Sequence, residues 1–460
     1  MKYLAADFGS TYTKLTAIDA AAGRVLATAN AFTTIDTDVM RGFDKALESL
    51  KAKVRDFEYD ELLCCSSAGG GLKMVALGLV PELTSKAARM AAANAGAKVV
   101  KTYAYEISAE EQREIYEINP DIVLLCGGTD GGNKDTVIAN AGLLGEIKRG
   151  FAVIYAGNKS AARDVEAILC DAGKNFVITK NVMPVFNQLD IEPAQNAIRE
   201  LFIKNIVAAK GLSNAQAKSA REIIPTPLAV LRACELLALG TPKTSGMGDF
   251  IAVDLGGATT DVYSLSKGEA SLDNVLVKGL PEPYCKRTVE GDLGMRYSLA
   301  HVAEQTDIDR MAAQINVSAR EIKDWVARCS QTPDIISAAG SKERAIDEAF
   351  ARRAIELALT RHCGVLEKAY TPLGEIFTLT GKDLSRAQYL IGIGGIIINS
   401  ALPQYMLEGG CHTPQNRAFM LPREPLYMQD KKYIFSAMGL LSEVDPELAL
   451  NIMKQEIRQL

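Results

Sequence analysis

The sequence predicts an α/β protein of at least two domains, and three observations carry that expectation. A strand followed by aspartate, glycine and hydroxylic residues occurs twice, as "LAADFGSTYTKLTAI" from Leu4 and "IAVDLGGATTDVYSL" from Ile251. Between about Lys98 and Val182, strand-like apolar runs alternate with helix-like segments, the cadence of a parallel sheet with crossover helices. A chain of 460 residues with 48% hydrophobic content also exceeds one ordinary core.

From the start, Leu4 to Thr34 reads as a meander of three antiparallel strands with a turn at Gly23. The spacing of Val39, Phe43, Leu47 and Leu50 marks an amphipathic helix over 36–54. "LLCCSSAGG" then reads as a buried strand. The alternating region contributes "AKVVKTYAYE", "DIVLLCGGTDGG", "FAVIYAGN" and "NFVITKNV" as strands. Residues 192–239 look helical, broken by Pro225 and Pro227 in "IIPTPL". "GTPKTSGMGD" is the clearest linker, and short strands follow it to about Lys286. Helical spacing dominates 298–363, "QYLIGIGGIIINS" restores a buried strand and turn, and "DPELALNIMKQEIRQL" reads as a helix packing on the body through Leu448, Ile452 and Ile457.

Composition narrows the function. The formal net charge of −5 gives no electrostatic reason to expect nucleic acid. No uncharged apolar run reaches the roughly 18 residues of a membrane span, and no secretory leader is evident, so a soluble cytoplasmic protein is expected. The nine cysteines form no CxxC pair and read as reduced thiols, and the three histidines are isolated.

In both repeated motifs a strand delivers an aspartate, Asp7 or Asp254, with a glycine two residues later and hydroxyls beyond it. Backbone N–H groups at such a turn can cradle phosphate. The carboxylate would repel that anion unless a hydrated Mg²⁺ lay between them. Either motif alone could be an ordinary hairpin; their pairing favours two loops clamping one polyphosphate. A third stretch, "LIGIGGIIINS", places Gly392, Gly394 and Gly395 after a buried strand, where a purine and ribose could approach closely.

These three segments resemble the two phosphate motifs and the adenosine motif of the actin-like ATPase superfamily, which includes sugar kinases and heat-shock chaperones. Together with "LLCCSSAGGGLKMVALGLV", "DIVLLCGGTDGG" and "KRTVEGDLGMRYS", they resemble the glutamate mutase L family along essentially the whole chain. That resemblance implies a two-lobed, ribonuclease H-like ATPase with an inserted α/β segment. It implies ATP and Mg²⁺ as cofactors and the reactivation of an adenosylcobalamin-dependent mutase, glutamate mutase foremost, by exchange of damaged cobalamin for intact coenzyme. Carried over by position, Asp7 and Asp254 would hold Mg²⁺ through water. Gly9, Ser10, Thr11, Gly256, Gly257 and Thr259 would form the phosphate loops, and Gly392, Gly394 and Gly395 the adenosine site.

Lys14 stands where several superfamily members place a basic residue near phosphate, although as a strand residue it could face elsewhere. Asp261 would either orient water or close its hairpin. The expected boundaries are 1–97 for the first lobe, 98–245 for the insert, 246–400 for the second lobe and 401–460 for a C-terminal segment. Two motifs stay open. Gly127, Gly128, Asp130 and Gly131 form either a ligand-approach loop or a plain strand-to-helix turn with Asp135 as cap. Glu290 and Asp292 either approach the nucleotide or lie in a solvated turn. The rival functions are a small-molecule kinase, which would need a base and an acceptor pocket, and a non-catalytic assembly protein. A homodimer is compatible with the sequence.

Overall fold

A computed structural model describes residues 1–9, 11–34, 38–67, 73–207, 212–371 and 374–460. The opening meander forms as expected: β1 (Lys2–Phe8), β2 (Tyr12–Asp19) and β3 (Arg24–Phe32) pair antiparallel in sequence. Leu4, Ala6 and Phe8 enter one core with Leu15 and Ala17, so the alternation of strand side chains turns Asp7 to the other face. The helix Val39–Lys53 covers the core side. Asp38 caps it by accepting from the Met40 N–H at 2.9 Å, and Phe43, Ala46 and Leu50 line its buried stripe. Gly42 lets this helix lie close on β3, because a Cβ there would stand 2.6 Å from the Phe32 carbonyl oxygen. β4 (Glu61–Ser66) pairs parallel with β1.

β5 (Lys73–Gly78), β6 (Lys98–Ala104), β7 (Ile122–Leu125), β8 (Ala152–Tyr155) and β9 (Asn175–Ile178) form a wholly parallel sheet in the order β6-β5-β7-β8-β9. Helices Ala109–Ile118, Asp135–Glu146 and Ala162–Asp171 lie on its crossovers. This is a doubly wound order, and its second strand in the row, β5, lies ahead of residue 98. The run "KMVALG" is buried after its first residue, as a central parallel strand must be. The chain then returns through β10 (Ile224–Pro225), parallel to β4, which completes a first sheet ordered β10-β4-β1-β2-β3.

The second half repeats that plan. β11 (Phe250–Leu255) and β12 (Thr260–Leu265) form a hairpin. β13 (Val275–Lys278) departs to a small sheet, and β14 (Cys285–Glu290) pairs antiparallel with β12. Four helices follow, the longest being Lys342–His362, capped by Ser341 and buried in the core through Phe350, Ile355 and Leu359. A hairpin of β15 (Val365–Thr371) and β16 (Gly374–Thr380) joins β13. β17 (Tyr389–Ile393) and β18 (Leu426–Asp430) then add parallel to β11. The terminal helix Pro446–Glu456 buries Leu448 and Ile452, but the chain ends as β19 (Ile457–Gln459), antiparallel to β18, rather than as helix.

Numbered within each half, β10-β4-β1-β2-β3 and β14-β12-β11-β17-β18 are the same order, 3-2-1-4-5, with an antiparallel meander followed by two parallel strands. That duplicated ribonuclease H-like order is the fold of the actin-like ATPases, and the α/β class stands as expected. The chain divides into two compact units, Met1–Ala229 with Gly279–Pro281, and Val230–Lys278 with Glu282–Leu460. The parallel sheet shares the first unit with the first meander. The "GTPKTSGMGD" stretch is tightly built: Thr241 and Thr244 hydroxyls both donate to Glu447, and Gly240, at φ +78°, would place a Cβ 2.3 Å from the Gly246 nitrogen. All nine cysteines are free thiols. Among the described residues, no helix is long and apolar enough to cross a membrane.

Candidate functional site

The two Asp-Gly hairpins close in the same way. The Gly9 N–H donates to the Tyr12 carbonyl at 3.1 Å and the Gly256 N–H to the Thr259 carbonyl at 2.9 Å. Each aspartate therefore faces the residue seven positions later on the neighbouring strand: Asp7 lies opposite Lys14, and Asp254 opposite Asp261. Directly opposed residues of an antiparallel pair share a sheet face. The register thus answers the question about Lys14, which lies on the Asp7 face. Ser10 is outside the described residues. Thr11 holds the turn through its carbonyl, which accepts from the Thr33 N–H at 2.9 Å.

In the first unit, Asp7 is buried at 4% exposure and accepts from the Thr226 hydroxyl at 2.6 Å. The same hydroxyl lies 3.6 Å from the Cys65 sulfur, on the strand residue beside Asp7. Thr226 opens the helix Thr226–Leu239 immediately after β10, so the Pro225 and Pro227 break delivers a donor to the strand-one carboxylate.

In the second unit, Asp254 accepts from the Tyr433 hydroxyl, 3.2 Å from one carboxylate oxygen and 3.3 Å from the other. Asp261 is held by Arg287 of β14, whose Nε and Nη2 lie 2.8 and 2.6 Å from Oδ1. Two aspartates side by side on adjacent strands repel, and the buried guanidinium offsets that repulsion. Burial opposes the charge on Arg287, but Asp261 with Tyr263 outweighs it and holds the guanidinium above its ordinary pKa. The Thr259 hydroxyl reaches Asp261 only at 3.4 Å. Asp261 is thus tied to the neighbouring strand β14.

The loop Gly256–Thr259 rests on residues 293–298. Arg296 and Tyr297 N–H groups donate to the Gly257 carbonyl at 2.8 and 2.9 Å, and the Ser298 hydroxyl to the Ala258 carbonyl at 2.7 Å. Gly294 fits beneath Ala258, where a Cβ would meet its carbonyl carbon at 2.4 Å. Arg296 is fixed in turn by Asp347, fully buried, through two hydrogen bonds of 3.1 and 2.9 Å. The acidic residues of the same motif point elsewhere. Arg361 binds Glu290 at 2.7 Å and Asp292 at 2.7 and 2.9 Å, and this contact holds Asp292 below the usual carboxylate range. "TVEGDLGMR" therefore supports the hairpin through its backbone and its second glycine, while Glu290 and Asp292 form an ion-pair cluster.

The glycines divide by cause. A Cβ at Gly257 would meet nothing closer than 3.9 Å, so packing does not demand glycine there. Gly392 packs against Ile397 and Leu407, and Gly394, at φ +112°, would place a Cβ 2.3 Å from the Leu255 carbonyl oxygen. Only Gly395 of the expected adenosine trio has open space around it. Gly394→Ala is expected to cost about 1–3 kcal/mol from backbone strain alone, before the carbonyl clash. Gly395→Ala should leave the thermal midpoint unchanged, and paired melting curves check the contrast.

The "GGTDGG" loop lies at the carboxyl end of β7 and is held by residues that follow β8 and β9. Asp130 accepts from the Asn181 amide and the Lys159 N–H, both at 3.0 Å, and Asn158 binds the Gly131 N–H and the Gly132 and Asn133 carbonyls. Asp135 is the first residue of the following helix rather than its cap; Lys134 takes that position without a side-chain bond.

Thr226, Tyr433, Arg287 and Asp347 were not foreseen in the sequence. Only Thr226 carried a local signal, a hydroxyl between two prolines at a helix start.

Among the described residues, no three His, Cys, Asp or Glu side chains gather as a direct metal cage. Single carboxylates beside glycine turns fit instead a hard, hydrated cation such as Mg²⁺, which keeps several waters and takes few protein ligands.

The family profile described as MutL protein matches residues 3–457. Protein MutL of Clostridium tetanomorphum is 46% identical over 457 residues, covering 98% of this chain and 98% of that one. Among solved structures, a glycerol dehydratase reactivase overlays with a TM-score of 0.37 at 10% identity, over 96% of this chain and 100% of the other. A ligand-bound xylulose kinase from Lactobacillus acidophilus overlays with a TM-score of 0.37 at 9% identity, over 100% and 92%. Matched over nearly its whole length by both the profile and the clostridial sequence, the chain belongs to the MutL protein family.

Proposed function

We propose that this protein is an ATP-dependent reactivating factor for an adenosylcobalamin-dependent mutase, with glutamate mutase as the foremost client. The observation that carries the reading is the repeated hairpin: one aspartate and one glycine turn, closed by the same hydrogen bond, on the first strand of each 3-2-1-4-5 sheet. Each hairpin would offer backbone N–H groups to phosphate, Asp7 and Asp254 would hold a hydrated Mg²⁺, and the open backbone at Gly257 leaves room for a phosphate oxygen. The metal, when bound, supplies charge neutralisation between carboxylates and phosphates. Lys14, on the Asp7 face, adds positive charge on the first hairpin. Asp261 positions the second hairpin through Arg287. Gly395 borders the adenosine end.

Exchange of ATP for ADP would remove a γ-phosphate contact from the hairpins, so the two nucleotides would favour different conformations. That differential binding would drive release of damaged cobalamin from the client. A coupling free energy, rather than rapid turnover, is what such a role needs.

The test supplies purified protein with ATP, Mg²⁺, cyanocobalamin-inactivated glutamate mutase and adenosylcobalamin. ATP-dependent recovery of mutase activity is the expected result. Stoichiometric phosphorylation of an added sugar or carboxylic acid, without recovery, would contradict it in favour of a kinase.

A further inference from the structure

We infer that Tyr433, with Thr226 as its counterpart, is a positioning residue that orients a strand-one aspartate toward the metal. The inference rests on the nucleotide reading above and adds two residues that lie outside the repeated Asp-Gly motifs. Thr226 stands directly after β10, the fifth strand of its sheet order, and Tyr433 stands three residues after β18, the fifth strand of the other. Each sends a hydroxyl to the aspartate of the first strand, at 2.6 Å for Asp7 and at 3.2 and 3.3 Å for Asp254. The same donor thus reaches the same carboxylate from the same topological place in both units, through unrelated local sequences.

The backbone at Tyr433 adds a second, independent observation. Of the seven non-glycine residues with positive φ among those described, five are Asp or Asn, which tolerate that region. Tyr433, at φ +55°, is bulky and aromatic, and such a residue persists in a left-handed conformation only where its surroundings enforce it. Asp430 does so here. Fully buried, it accepts from the Ile434 and Phe435 N–H groups at 2.7 and 3.0 Å, while its carbonyl accepts from the Tyr433 N–H at 3.2 Å. The turn is pinned on both sides, and the phenol is aimed at Asp254. A hydroxyl that donates near both oxygens restricts rotation of the carboxylate.

The experiment measures equilibrium binding of a fluorescent ATP analogue to the full chain across a Mg²⁺ titration and in EDTA, for wild type, Tyr433→Phe and Thr226→Val. Tyr433→Phe keeps the ring and loses only the hydroxyl. The Mg²⁺ concentration for half-maximal enhancement of binding is expected to rise about tenfold in each variant, with affinity in EDTA and the melting temperature near wild type. A wild-type Mg²⁺ requirement in Tyr433→Phe, or an equal loss with and without Mg²⁺, would overturn the positioning role alone. Wild-type binding indifferent to Mg²⁺ would overturn the nucleotide reading and this role with it.

Discussion

Asp254→Asn and Asp7→Asn are each expected to lower Mg²⁺-dependent ATP turnover by about 100-fold or more, the size of losing one preorganised electrostatic group. Both should also abolish ATP-driven recovery of the mutase. The substitution is nearly isosteric and isolates charge from shape. At position 7 the asparagine oxygen can still accept from Thr226, so the contact that packs this site survives while the negative charge is lost. At position 254 the same change also removes the repulsion with Asp261 across the strand pair, so the second unit should be no less stable than before. Loss of activity with an unchanged melting temperature is therefore the expected signature. Turnover assays and thermal unfolding on the same preparations check it.

Asp347→Ala is expected to have the largest effect on stability. The carboxylate is fully buried and accepts four hydrogen bonds: two from Arg296, one from the Trp325 indole at 2.9 Å and one from the Ser337 hydroxyl at 2.7 Å. Removing it leaves a mostly buried guanidinium without its counter-ion, which costs about 3–5 kcal/mol in comparable cases. The consequence reaches the hairpin, because the Arg296 and Tyr297 N–H groups hold the Gly257 carbonyl. Trp325 is the single tryptophan of the chain and touches the altered site directly. Its fluorescence during denaturant unfolding should show a transition shifted to lower denaturant. Nucleotide affinity should weaken even where the protein is still folded.

The sequence was most informative where a local pattern has one physical meaning. The meander of β1 to β3, the parallel cadence from Lys98 onward and the helix around Phe43 follow from alternation and spacing, and the structure contains all three. The two aspartates and their first glycines were legible because a strand, a carboxylate and a tight turn occurred together twice. What partners them was not. Thr226 lies 219 residues from Asp7, and Tyr433 lies 179 from Asp254, and no short-range pattern encodes such a distance.

Glycine was the least specific signal. Gly392 and Gly394 read as space for a ligand, yet neighbouring side chains and the Leu255 carbonyl occupy that space. Glu290 and Asp292 looked available for a cation, and Arg361, distant in sequence, binds them instead. The last strand was missed for a related reason. Ile457–Gln459 follows its helix without glycine or proline, and pairing with Met428–Asp430 overrides local propensity.

The central proposal is that the two aspartate hairpins serve Mg²⁺-dependent binding of ATP, and calorimetric titration of the intact chain with ATP and Mg²⁺ tests it most directly. The account predicts a stoichiometry of one for wild type and loss of most Mg²⁺-dependent affinity in Asp7→Asn and Asp254→Asn alike. Two independent sites per chain, or full affinity in either variant, would contradict it.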